Sequence, residues 1–132
     1  MREPTFLVLA ALADGPKHGY ALIEEADRIS GGRVRLKVGT LYAALDRLAK
    51  EGLVRVSGEE VVSGRLRRSF ALTDVGGDRL SAEVERMEVS AREARRRLAL
   101  RPRLSFAVAP LGRSRTAPLG PVGTARGVGV AL

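Results

Sequence analysis

The sequence predicts a mainly α-helical fold with one small β-hairpin, on the basis of three observations. First, apolar residues recur at helical spacing in three short segments before residue 52 and in one long segment after residue 73. Second, two short runs typical of β-strands lie between these segments. Third, the chain has 132 residues, of which 45% are hydrophobic, and so has the size of one domain with a small core.

The first two helices are predicted at residues 4–13 and 18–29, where apolar residues recur at helical spacing. The sequence DGPKHG lies between them. Its first glycine suits the C-terminus of a helix, and its proline cannot continue one, so this segment ends the first helix. The sequence SGG ends the second helix.

A third helix is predicted within the sequence VGTLYAALDRLAKEGLV, residues 38–54, and Gly52 suits its C-terminus. Four residues at i, i+3, i+4 and i+7 spacing form one apolar stripe, which we expect in the core: Leu41, Ala44, Leu45 and Leu48. The opposite face carries Tyr42, Ala43, Arg47 and Lys50. This helix is therefore amphipathic, with polar groups free for a partner.

A hairpin is predicted after the third helix, with strands at residues 53–56 and 69–73. Residues 57–68 between them have turn-forming residues at both ends and a basic second half, so we expect a basic loop. Thr73 suits the N-cap of the helix that follows.

The last helix, predicted to reach about residue 98, has apolar residues at alternating spacings of four and three, which form a heptad seam: Leu80, Val84, Met87, Ala91, Ala94 and Leu98. A helix of about 25 residues is about 37 Å long. A small domain cannot cover that length, so the seam predicts a homodimer whose interface also includes Phe6 and Leu9. Packing of the seam on its own domain is the alternative.

This order of elements is typical of a winged helix-turn-helix domain followed by a C-terminal dimerisation helix. We expect the domain at residues 1–73 and the dimerisation helix at residues 74–100. Residues 101–132 contain five Arg, five Gly and four Pro, with no acidic residue. They show no apolar periodicity either, so we expect a disordered tail.

The formal net charge of +8 favours a polyanionic partner, with nucleic acid first. Residues 1–100 carry 18 basic and 15 acidic side chains, so nucleic-acid binding by this part of the chain depends on where the charges lie. A helix fits the major groove of double-stranded DNA, and a basic hairpin can lie against the phosphate backbone. Two copies on a two-fold axis would read a palindrome.

Other classes of function have little support in the sequence. His18 is the only histidine and cysteine is absent, so we expect no catalytic site, no metal and no cofactor. We expect His18 to cap the second helix, with a phosphate contact as the alternative. No apolar run reaches the ~18 residues of a membrane span. The absence of cysteine is compatible with the cytoplasm, where we expect the protein to act.

Three segments resemble the PadR family of bacterial transcriptional regulators: DGPKHGYALIEE at 14–25, GTLYAALDRLAKEGLV at 39–54 and RLRRSFALTDVGGDRL at 65–80. The resemblance implies a dimeric winged-helix repressor that binds a palindromic operator and is released by a small-molecule effector. Val38 stands where the family often has proline, and Phe70 replaces a frequent tyrosine.

The expected DNA contacts combine this resemblance with the positions of the polar groups. They are Lys37, Gly39, Thr40, Tyr42, Ala43 and Arg47 at the third helix, and Arg65, Arg67 and Arg68 in the hairpin. Arg33 and Arg35 add a second basic flank with Lys37.

Each of these contacts has an alternative. The ring of Tyr42 could instead pack on a neighbour, and Glu59 and Glu60 could neutralise the hairpin arginines. The alternative function is a winged-helix protein-interaction module without specific DNA binding.

Overall fold

A computed structural model describes residues 1–103, and within these residues it contains four α-helices and three β-strands. In chain order they are α1 Glu3–Leu12, β1 Lys17–His18, α2 Gly19–Ile29, α3 Val38–Lys50, β2 Val54–Val62, β3 Arg65–Leu72 and α4 Asp74–Leu100. The predicted class, mainly α-helical with a small β-hairpin, is confirmed. The tail predicted at residues 101–132 lies outside the described residues from residue 104 onwards.

The core lies between the first three helices and the sheet. The predicted stripe of α3 is buried, with Leu41 at 0% and Leu48 at 1% exposure. Burial of each such leucine contributes about 1.5–3 kcal/mol. Leu9 is also completely buried within its own chain, so the expectation that it joins a dimer interface is wrong. Phe6 is half-buried and packs against the core.

The sheet is antiparallel and has the strand order β1-β3-β2. Strand β1 was not predicted, because two residues are too few to show an alternating pattern. It forms where the chain between α1 and α2 passes the open edge of β3, with Lys17 opposite Phe70 and His18 opposite Ser69. The hairpin therefore becomes a three-stranded sheet.

The prediction of a basic loop at residues 57–68 is wrong. Strands β2 and β3 extend almost to the tip and are joined by Ser63 and Gly64, whose φ values of 53° and 77° suit a tight hairpin turn. The strands continue through polar residues because opposite charges face each other across the ladder, as with Glu59 and Arg68. Most residues of this extension are exposed, so no apolar alternation marked it.

Helix α4 begins at the predicted cap. The Thr73 hydroxyl accepts a hydrogen bond from the Gly76 amide at 3.0 Å and donates one to the Gly52 carbonyl at 2.7 Å. Leu80 is 8% exposed and belongs to the core, and Val84 packs against it. The first two positions of the predicted seam therefore pack on their own domain.

The later part of the seam is exposed, with Met87 at 47% and Leu98 at 62%. Ala91 and Ala94 are exposed as well. The chain divides into two compact units, and the boundary between them lies within α4, after Ala94. Within residues 1–103, no helix is both long and apolar enough to span a bilayer.

Candidate nucleic-acid interface

The N-terminus of α3 is open to solvent. Lys37 precedes the helix with extended backbone angles, and its side chain makes no capping hydrogen bond. Val38, Gly39 and Thr40 follow in the first turn, and all are exposed. The first amide groups of a helix lack partners within it and carry partial positive charge, which makes this end a suitable place for an anion.

The face of α3 opposite the buried stripe is small and polar. At 100° per residue, this face carries Gly39, Ala43, Asp46 and Lys50. Among residues 1–103, no heavy atom other than the neighbouring residues and nearby helix backbone lies within 4 Å of the position that a Cβ would take on Gly39. Lys37 and Lys50 form no ion pair among the described residues. This face could therefore approach a groove closely.

Tyr42 packs against two other elements, β3 and α2. Its ring meets Phe70 of β3 edge-on, with centroids 6.3 Å apart and an angle of 66° between the planes. Its hydroxyl lies against Gly19, the first residue of α2. The packing alternative for Tyr42 is therefore what the structure shows, although 43% of the residue remains exposed.

Arg47 does not extend outward as expected. Its Nη2 donates a hydrogen bond to Thr5 Oγ1 at 2.9 Å, and Thr5 is a buried residue of α1. The reason is that Arg47 lies on the flank of α3 that packs beside α1. Its guanidinium group is directed at α1, away from the Gly39 and Lys50 face.

The basic flank before α3 is largely paired. Arg33 donates two hydrogen bonds to the Glu3 carboxylate, and these bonds lower the pKa of Glu3. Arg35 pairs with Asp27 at 3.1 Å. Of the three expected cations, Lys37 alone lacks an acidic partner among the described residues.

The hairpin arginines divide between the two faces of β3. Arg68 pairs with Glu59 at 3.1 Å, on the face that continues from Phe70. Arg65 and Arg67 lie on the other face because side chains alternate along a strand. Neither forms an ion pair within residues 1–103. Arg68 is thus the hairpin arginine that forms an ion pair, and Arg67 lies across the strands from Glu60.

His18 caps α2 as predicted. Its Nδ1 accepts a hydrogen bond from the Ala21 amide at 3.4 Å. Within residues 1–103, no group of three or more His, Asp or Glu side chains is placed to hold a metal ion.

The contact between Tyr42 and Gly19 was missed by the sequence reasoning. One signal could have indicated it. Gly19 is the first residue of α2, and glycine is common where another group approaches the backbone closely.

Comparison with known proteins matches this chain to transcriptional regulators. A model of the transcriptional regulator PadR-like family matches residues 8–82. The chain is 38% identical over 86 residues to the transcriptional regulator Rv3488 of Mycobacterium tuberculosis, which covers 65% of this chain and 77% of that protein. It is 47% identical over 85 residues to a 37.1 kDa protein in transposon TN4556 of Streptomyces fradiae. That match covers 64% of this chain but only 23% of the transposon protein.

Solved structures share the fold. A PadR family transcription regulator from Clostridium difficile R20291 matches with a TM-score of 0.60 and 24% identity, over 74% of this chain and 99% of that one. Bacillus subtilis PadR in complex with operator DNA matches with a TM-score of 0.56 and 21% identity, over 63% of this chain and 48% of that one. The predicted winged helix-turn-helix fold is confirmed. With the family match extending over residues 8–82, the chain belongs to the PadR-like family of transcriptional regulators.

Proposed function

We propose that this protein is a sequence-specific DNA-binding transcriptional regulator that acts as a homodimeric repressor on a palindromic operator in the cytoplasm. The observation that carries the proposal is the open N-terminus of α3, where the unpaired Lys37 precedes the exposed Gly39 and Thr40. The operator-bound state of Bacillus subtilis PadR, which shares the fold, supports DNA as the partner.

The proposed contact set is smaller than the set expected from the sequence. At α3 it contains Lys37, Gly39, Thr40, Ala43 and the exposed edge of Tyr42. In the hairpin it contains Arg65 and Arg67, and also Arg68 if a phosphate replaces Glu59. Arg47 is left out because Thr5 holds its guanidinium group.

The proposed dimer uses the exposed part of the α4 seam, which comprises Met87, Ala91, Ala94 and Leu98. A two-fold axis through the dimer would place two copies of α3 on the two halves of a palindrome. Release by a small-molecule effector is part of the proposal on the basis of family membership.

Operator selection from random duplex DNA, followed by mobility shifts at several salt concentrations, tests the DNA contacts. Arg67→Ala should weaken binding to every sequence, because a phosphate contact carries no base information. It should also reduce the salt slope by about one unit for the lost contact.

Arg55→Ala is the matched control, because it removes the same charge from an exposed position of the neighbouring strand outside the proposed set. It should retain the wild-type slope. If Arg67→Ala binds as the wild type does, the hairpin assignment is wrong.

A protein-interaction module is the second candidate function. One observation favours it: Val61 and Leu66 are cross-strand partners next to the hairpin turn and are 71% and 58% exposed. Exposed apolar pairs can belong to a protein interface. Genomic pull-down separates the candidates, since this function predicts a stoichiometric protein partner and no enriched DNA site.

A further inference from the structure

The start of α3 comes very close to the start of α2 at Gly19. A Cβ built on Gly19 would lie 2.5 Å from the Tyr42 hydroxyl oxygen and 3.1 Å from Tyr42 Cζ. It would also lie 3.5 Å from Leu41 Cδ2. A residue with a side chain therefore fits at position 19 only if Tyr42, near the start of α3, moves.

Backbone conformation does not explain the glycine. The φ of Gly19 is not among the positive values found in the described residues, so other residues could adopt it. The close approach of Tyr42 is the feature that a side chain at this position would disturb.

The ring of Tyr42 also contacts the sheet. The Tyr42 ring meets Phe70, which is 6% exposed and lies two residues from Arg68 on β3. Phe70 also pairs with Lys17 of β1, which directly precedes the His18 cap of α2. Tyr42 thus connects the start of α2, the start of α3 and the hairpin.

We propose that Gly19 and Tyr42 form a positioning contact that sets the orientation of α3 relative to α2 and the hairpin. The consequence for DNA rests on the proposed function. Base contacts require placement to within about 0.5 Å, whereas attraction to phosphates tolerates larger displacements. Disturbing the contact should therefore reduce the preference for the operator more than general affinity for DNA.

The test uses Gly19→Ala, Tyr42→Phe and the double variant in the full chain. Gly19→Ala should reduce the ratio of operator affinity to scrambled-duplex affinity by about tenfold, comparable to one lost base contact. Gly19→Ala should lower this ratio much less when the double variant is compared with Tyr42→Phe alone, because removing the hydroxyl removes the closest atom. Gly58→Ala is the control, since nothing lies within 4 Å of the added Cβ.

The free energy of unfolding, measured without DNA for the same proteins, tests the contact independently. Gly19→Ala should destabilise the protein much less when Tyr42 is phenylalanine, and this coupling supports the contact. Equal destabilisation in both backgrounds overturns it. If Gly19→Ala does not fold, recovery of folding in the double variant supports the contact, and failure to recover overturns it.

The DNA results separate the two proposals. If the two substitutions are coupled in stability but the wild type selects no operator, the proposed function is contradicted and the contact between Gly19 and Tyr42 still stands. If the two substitutions are coupled in stability but Gly19→Ala leaves the ratio of operator affinity to scrambled-duplex affinity unchanged, the contact is purely structural. That outcome overturns its positioning role.

Discussion

Several arginines near the candidate interface are held by acidic residues of the same domain. Arg33 bonds to Glu3, and Arg68 bonds to Glu59. These side chains are about half exposed, so water and salt weaken the attraction within each pair. A DNA phosphate could therefore take the place of either carboxylate, and we expect the acidic partners to reduce affinity for DNA.

Glu59→Gln should strengthen DNA binding. The substitution removes a negative charge from the hairpin and leaves Arg68 free for a phosphate. We expect an increase of about two- to fivefold in affinity for operator and scrambled duplexes alike, as for an exposed ion pair. Fluorescence anisotropy at low and high salt measures it, and the increase should shrink at high salt.

Glu85→Gln is the control for this gain, because it makes the same charge change at an exposed position of α4. It should increase affinity much less. Unchanged or weaker binding by Glu59→Gln would show that Arg68 does not face DNA.

At the scale of the element, the two glycines in the first turn of α4 have different roles. A Cβ on Gly76 would lie 2.0 Å from the carbonyl oxygen of Leu53, which also accepts a hydrogen bond from the Thr73 amide at 3.0 Å. A Cβ on Gly77 would meet only Leu72 Cδ2, at 3.8 Å. The close approach of two backbone segments therefore requires glycine at position 76 alone.

Gly76→Ala and Gly77→Ala should change stability in opposite directions. Gly76→Ala should lower the free energy of unfolding by about 1–3 kcal/mol, because the backbone must move. Gly77→Ala should raise it by about 0.5–1 kcal/mol, because alanine favours a helix. Urea unfolding at one protein concentration measures both changes. Equal effects would mean that α4 does not pack this closely.

For the molecule as a whole, the exposed part of the α4 seam is the basis for the proposed dimer. Met87→Glu places a charge in this apolar surface and should convert the dimer to a monomer, as measured by light scattering. The monomer should also lose affinity for the full palindrome, because it contacts one half-site at a time.

Val89→Glu is the matched control for the dimer. Val89 is 53% exposed and lies two residues from Met87, which places it on the opposite side of α4. This variant should remain a dimer. An unchanged mass for Met87→Glu would contradict the proposed seam.

Residue patterns alone predict the fold class, the buried stripe of α3, the His18 cap and the Thr73 cap. These features depend on residue spacing and on hydrogen bonds within a few residues, so local patterns predict them. The long polar strands of the hairpin were missed because their stability comes from cross-strand pairs such as Glu59 with Arg68.

The packing of separate elements, by contrast, sets which of the candidate cations are paired and what Tyr42 contacts. Arg47 reaches Thr5, which is 42 residues away, and Tyr42 reaches Gly19 and Phe70. Periodicity indicates which face of one helix is buried, but the partner of each side chain depends on how separate elements pack. That packing places residues from distant parts of the chain within a few ångströms of each other.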